Sequence, residues 1–251
     1  MLEFTDLPHD HVEPHPNRLA LWLSQHVNRQ LTLSSKRHQI KDVTVTGADP
    51  VKALADAGHK RFLFVANHST HSDPQIIVEA QLQVGVHSLF MAAYDVFLRS
   101  RLDAWLMRRA GAFSIDRDSS DRQAMKDATQ ALVEGNYGLT IFPEGNVYFT
   151  NDRVNPFLEG ASFIGMKAQK ELGDSATIYI IPTAIKATHL SDQRETVRNM
   201  ISQIAGSDTA ASGHDLVAQL KKAGLRLLEE QLLIRRFPVD HLDASAVPES
   251  L

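Results

Sequence analysis

The sequence predicts an α/β fold, a mostly parallel central sheet flanked by helices. Three observations carry that prediction. Short β-type runs alternate with helical patterns through the middle of the chain, the order that builds a parallel sheet. Several runs are apolar at consecutive positions, as in Phe62-Leu63-Phe64-Val65, which suits strands covered on both faces. Three polar clusters follow directly on such runs, where the carboxyl ends of strands in an open sheet leave room for a ligand.

Residues 1–16 read as an irregular arm. A helix is predicted from Asn17 to Lys36, because Leu19, Trp22, Leu23, His26, Val27 and Leu31 recur at helical spacing. A short β-like run, Asp42–Thr46, closes at Gly47, and Asp49 caps a short helix through Ala57 that Gly58 ends. The predicted core strands are Arg61–Ala66, Ser88–Ala92, Ala112–Ile115, Leu139–Phe142 and Thr177–Lys186. The helices between them lie near Pro74–Gln83, Arg101–Ala110, Asp121–Glu134 and Glu159–Glu171. Two further helices, near Asp192–Ala205 and His214–Arg235, flank a loop at 206–213, and a tail follows from Pro238. The expected organisation is an N-terminal arm and amphipathic helix (1–40), an α/β core (41–190) and C-terminal helices with a tail (191–251).

The 251 residues suffice to bury a core, and 43% hydrophobic with 22% charged residues is a globular composition. Without cysteine there is no disulfide framework, no thiolate zinc site and no cysteine nucleophile. A net charge of −4 without a basic stripe argues against nucleic acid as a partner. No apolar run is long enough to span a membrane, and the acidic, proline-bearing start does not resemble a signal peptide. The expectation is a cytoplasmic protein that meets a membrane only peripherally. Oligomeric state is not legible in the sequence.

The first polar cluster, 67–74, places His68 five residues before Asp73 across a strand-to-helix turn. A carboxylate there can fix the imidazole tautomer and stabilise the imidazolium formed on proton abstraction. With no GxSxG elbow and no cysteine, the proton is expected to come from the substrate. Composition alone produces roughly one H-x-x-x-x-D, so the pair gains meaning only from its company. The second cluster, Asp116-Arg117-Asp118, offers a guanidinium suited to phosphate. The third, Pro143-Glu144-Gly145, sets a carboxylate on a turn where the Gly145 N–H is placed to meet a developing oxyanion. His9, His11 and His15 lack a structural zinc spacing, so they read as a solvated arm and no metal or cofactor is expected. His71 reads as a position facing solvent or substrate.

In order along the chain stand Asn67-His68 with Asp73-Pro74, Gly111 with Ile115-Asp116-Arg117, Phe142-Pro143-Glu144-Gly145, and Ile181-Pro182-Thr183. This order resembles the four blocks of the glycerolipid acyltransferase family, whose best-known members act on 1-acylglycerol-3-phosphate (lysophosphatidate). The segment Pro156–Ala161 is similar to the one that follows the family's third block. The resemblance covers roughly residues 60–187. It implies the family's α/β fold and transfer of a fatty acyl group from acyl-CoA or acyl carrier protein to a lysolipid hydroxyl in phospholipid biosynthesis. His68 would then be the general base and Asp73 its orienting partner, with direct attack on the thioester. Arg117, Glu144 and Gly145 would hold the acceptor, with Asn67 and Asn146 completing the substrate-binding set. The block around Pro182 would shape the acyl-donor side.

Many family members carry Thr-Arg after the Pro-Glu-Gly turn, where this chain has Asn146-Val147, and a Lys where it has Leu158. Two cations expected near an acceptor phosphate are therefore absent, and Arg153 and Lys186 are the available substitutes. An acceptor without phosphate stays open, as does thioester hydrolysis with water in the acceptor's place. A non-catalytic lipid-binding module is the third reading, and the presence of His68, Asp73, Arg117 and Glu144 weighs against it. The helix around Trp22 and Leu23 is the candidate for contact with a membrane interface.

Overall fold

A computed structural model describes residues 8–116, 121–205 and 216–235, with the backbone alone for Ala205. Residues up to Lys186 form one compact unit, and those from Ala187 a second. The N-terminal segment to residue 40 belongs to the first.

In chain order the first unit comprises α1 (Arg18–Val27), α2 (Asp49–Asp56), β1 (Phe62–Ala66), α3 (Asp73–Gln83), β2 (Ser88–Ala93), α4 (Tyr94–Leu98), α5 (Arg101–Arg109), β3 (Ala112–Ile115), α6 (Arg122–Glu134), β4 (Gly138–Ile141), α7 (Gly160–Leu172) and β5 (Tyr179–Thr183). The five strands form one parallel sheet in the order β3-β2-β4-β1-β5. Leu63 and Leu139 pack with Phe113, Leu132 of α6 and Ile164 of α7. Phe62 and Phe64 join Val84, Val86 and the apolar side of α2, while Ala66 packs on Ile77 of α3. Helices thus cover both faces of β1, as its unbroken apolar run requires. β5 is an edge strand, shorter than the run 177–186 suggests, and Ile180 is exposed. An edge position also explains how Pro182 enters the sheet opposite Val65, since a proline has no N–H for a second neighbour.

Two caps follow the sequence, whereas Asp49 is the first residue of α2 rather than its cap, Ala48 taking that place without a side-chain hydrogen bond. The side chain of Asn17 accepts from the N–H groups of Leu19 and Ala20, and Asp121 accepts from the Ala124 N–H. Gly135 ends α6 in the left-handed conformation, φ 66°, which glycine adopts without a Cβ clash.

The structure corrects the sequence reading in four places. The helix expected through Lys36 ends at Val27 and widens into a π-helical segment, Asn28–Thr32. That widening accompanies a grip on α3: Asn28 Nδ2 donates to the Gln75 carbonyl at 2.8 Å, and Arg29 pairs with buried Glu79 at 2.6 Å. Residues 42–46 form no strand, and the Gln83 side chain, instead of a strand, takes the Val43 carbonyl. A short helix, α4, follows β2 and buries Phe97. Finally, the described part of the N-terminal arm, residues 8–16, is not simply solvated but docks on the sheet edge. The Ser114 N–H donates to the Val12 carbonyl at 3.0 Å, so the arm covers the free edge of β3. His9 and His11 lie largely buried against Ser114 and Asp127, whereas His15 is exposed.

The apolar stripe of α1 also faces outward. The helix buries Leu21 and Gln25, the Gln25 amide donating to the Val86 carbonyl, and leaves Trp22 50% and Leu23 52% exposed. In the second unit, α8 (Arg194–Ala205) and α9 (Leu216–Ile234) pack through Ile201, Leu216 and Ala223. Among the described residues no helix is long and apolar enough to cross a membrane.

Beneath the sheet lies a closed polar triangle. Gln81 Nε2 donates to Thr140 Oγ1 at 2.9 Å, Ser88 Oγ donates to Gln81 Oε1 at 2.9 Å, and the Ser88 and Thr140 hydroxyls lie 2.7 Å apart. All three are buried. Thr140→Val keeps the shape but strands the Gln81 amide, so it should lower unfolding free energy by about 1–3 kcal/mol. A midpoint shift in urea without a change in slope is the expected readout.

Candidate active site

The strand order assembles the site. β1 lies between β4 and β5, so the turns leaving the carboxyl ends of these three strands are neighbours. The turn after β1 is held from both sides. On the β5 side, Asn67 Nδ2 donates to the Ile185 carbonyl at 3.0 Å and its Oδ1 accepts from the Ile185 N–H at 2.6 Å. On the β4 side, the main-chain N–H of His68 donates to Glu144 Oε1 at 2.7 Å. Between these fixings His68 leaves the sheet, its ring stacked on Phe142 with centroids 4.3 Å apart.

His68 Nδ1 lies 3.0 Å from Asp73 Oδ2. Asp73 is the first residue of α3 and has no exposed surface. Its carboxylate is surrounded by donors. Oδ2 also accepts from the Thr70 N–H at 2.8 Å, and Oδ1 from the Thr70 hydroxyl at 2.8 Å. The amino end of α3 adds a favourable dipole. An ionised carboxylate only accepts, so His68 carries its proton on Nδ1 and offers the Nε2 lone pair. Nε2 has no partner among the described residues and is not shut away from solvent. The arrangement is a base aimed outward with an acid fixing it from behind.

The geometry redistributes the roles expected of the neighbours. Glu144 is 5% exposed, and both its oxygens are engaged: Oε1 by His68, Oε2 by the N–H and side-chain amide of Asn155 at 3.2 and 2.8 Å. It therefore holds the chain that carries the base. Asn67, likewise buried, is a clamp on β5. Gly145 has φ +73°, and a Cβ there would come within 2.8 Å of Leu158. Its N–H donates to the Phe142 carbonyl, so it does not point at an oxyanion as the turn alone suggested. Asn146 Oδ1 accepts from the next residue's N–H, that of Val147. Arg117 and Asp118 lie outside the described residues. The strand that precedes them in the chain, β3, stands three places from β1, about 14 Å at the usual interstrand spacing. Of the two substitute cations, Lys186 pairs with Asp152 at 2.6 Å on the surface, and Arg153 is exposed.

Two contributors were not singled out by the sequence. Thr70 stands three residues before Asp73, the spacing of a capping box, and that was the available signal. Asn155 carries no such signal, because it is brought back by a loop that also joins the Leu158 N–H to the Pro143 carbonyl. That loop exposes Tyr148, Phe149, Phe157 and Leu158. Phe149 has φ 55°, a strained conformation for an aromatic residue, and meets the edge of the His71 ring at 5.1 Å. Burial and the neighbouring His68 push the His71 pKa down, which favours a neutral ring beside the base.

Asp73→Asn should release the His68 ring without unfolding the protein, and loss of a downfield imidazole N–H resonance in proton NMR is the check. Glu144→Ala should cost about 2–3 kcal/mol of stability, because it leaves the buried-side N–H of His68 without its charged acceptor. Chemical denaturation measures this directly.

Comparison with known proteins places this geometry in a family. A family model described as Acyltransferase matches residues 42–186, more than half of the chain, and includes every strand of the sheet. A 1-acyl-sn-glycerol-3-phosphate acyltransferase of Streptococcus pneumoniae (strain ATCC BAA-255 / R6) is 31% identical over 87 residues, which are 35% of this chain and 32% of that protein. The match thus spans about a third of that relative's length. No solved structure matches significantly. The chain belongs to the acyltransferase family.

Proposed function

We propose that this acyltransferase moves a fatty acyl group from a thioester, acyl-CoA or acyl carrier protein, to the hydroxyl of a lysolipid, with 1-acylglycerol-3-phosphate as the first acceptor to test. The observation that carries the reading is the 3.0 Å contact of His68 Nδ1 with fully buried Asp73, which leaves Nε2 facing outward. In this mechanism Nε2 takes the acceptor's hydroxyl proton as the oxygen attacks the thioester carbonyl carbon. The tetrahedral intermediate collapses with loss of the C–S bond. The thiolate then recovers the proton from the imidazolium, which Asp73 has stabilised throughout. Positioning two substrates supplies much of the acceleration, and general-base help contributes typically about 10²–10⁴-fold.

The exposed Tyr148, Phe149, Phe157 and Leu158 support a lipid substrate, since they form an apolar rim on the loop tied to Glu144. A second reading, an acceptor without phosphate, is favoured by the positions after Gly145, where Asn146 and Val147 carry no charge, and by the Lys186–Asp152 pair.

Thiol release from palmitoyl-CoA, with and without lysophosphatidate, separates these readings. The chain has no cysteine and gives a thiol reagent no background. Lysophosphatidate-dependent release that falls at least about 10²-fold in His68→Ala is the expected result. Release indifferent to every lysolipid tried points to hydrolysis, and release undiminished in a folded His68→Ala removes His68 from the mechanism.

Peripheral membrane contact is part of the same proposal. α1 and α5 pack together, and each exposes tryptophan and leucine: Leu19, Trp22 and Leu23 on α1, Leu102, Trp105 and Leu106 on α5. Substituting Trp22→Glu with Leu23→Glu should abolish co-sedimentation with phosphatidylglycerol vesicles. Equal sedimentation by the folded double variant rejects membrane docking through α1.

A further inference from the structure

We propose that His9, His11 and Asp121 bind a divalent transition-metal ion, zinc by preference, which fastens the N-terminal arm to the start of α6. One ligand atom from each of the three residues can be chosen so that all lie within 4.8 Å of one another. His9 Nδ1 is 3.8 Å from Asp121 Oδ2. Two ligands about 2.1 Å from a common metal sit at most about 4.2 Å apart, so closure requires shifts of less than about 1 Å.

The protonation pattern points the same way. His11 Nε2 lies 2.8 Å from Asp127 Oδ2, and a carboxylate only accepts. His11 therefore carries its proton on Nε2 and leaves Nδ1 as a bare lone pair. That nitrogen is buried and has no partner among the described residues. A buried acceptor without a donor is costly, and a metal ion removes the cost. The Asp127–His11 contact is also the one that orients metal-bound histidines in known sites. His9 is oriented similarly, its Nε2 3.0 Å from the Ser114 hydroxyl, which leaves Nδ1 toward Asp121. Asp121 is held by the Ala124 N–H on Oδ1 and the Asp116 N–H on Oδ2. A second lone pair on Oδ2 stays available.

Two imidazoles and one carboxylate, without thiolate, favour zinc and its neighbours over calcium or magnesium. Three protein ligands leave a coordination position for water. The cluster stands at β3, the strand farthest from β5, with β2 and β4 between it and the strand that leads to His68. It is a site apart from the base. The sequence concealed it because Asp121 is more than a hundred residues from His9 and His11.

The test is zinc titration of the tag-free full chain by calorimetry, with X-ray absorption of the zinc-loaded native protein. One equivalent of zinc should bind, with two imidazoles in the absorption fit. Affinity should fall at least about 100-fold in His11→Ala and about 10–100-fold in Asp127→Asn, which keeps the shape but weakens the orienting contact. His15→Ala, an exposed arm position, should bind as the native chain does. Absence of stoichiometric binding, a spectrum without two imidazoles, or an equal loss in His15→Ala overturns the proposal. The absorption measurement decides the matter even if a variant fails to fold.

Discussion

A carboxylate cut off from water has to be surrounded by donors, and the Asp73 carboxyl group organises the candidate site around that requirement. Its three donors are His68 Nδ1 and the main-chain N–H and hydroxyl of Thr70. To deliver them, the six residues between β1 and α3 must double back over the start of the helix. That path in turn requires α3 to begin at Asp73, and it requires β1 to end where Asn67 can reach the main chain beyond β5. The central position of β1 is what makes the arrangement rigid, since only an interior strand has neighbours on both sides to hold its exit turn.

The division of labour among the polar residues follows from that geometry. His68 is the group turned toward the open side. Asp73, Glu144 and Asn67 are all buried and all spent on holding other parts of the chain. Motif reasoning treats residues that recur together as though each met the substrate. Both oxygens of buried Glu144 accept from N–H groups of the chain, so this carboxylate holds the backbone at His68 and the loop at Asn155.

Much of the fold was legible because its signals are local. Consecutive apolar residues marked β1, alternation of runs and helical patterns marked the parallel sheet, and the helical pattern Asp121–Glu134 marked α6. The pairing of His68 with Asp73 was legible for the same reason, being a contact across five residues. What escaped depends on partners distant in sequence. The early end of α1 accompanies contacts with Gln75 and Glu79, and the burial of His9 and His11 depends on Ser114 and Asp127. The outward turn of Trp22 reflects the choice of Leu21 and Gln25 as the buried side, a choice that helical periodicity alone does not make.

The link from Glu144 reaches His68 through its main-chain N–H, which every residue except proline possesses. Asn67 and Thr70, on either side, are fixed through their own atoms as well. The main-chain fixings of the cradle therefore do not depend on which side chain occupies position 68, although loss of the imidazole takes one of three donors from Asp73. Descendants of this chain can lose the imidazole without losing the pocket's outline. Such a descendant would keep the scaffold of the site without the group that the scaffold now presents.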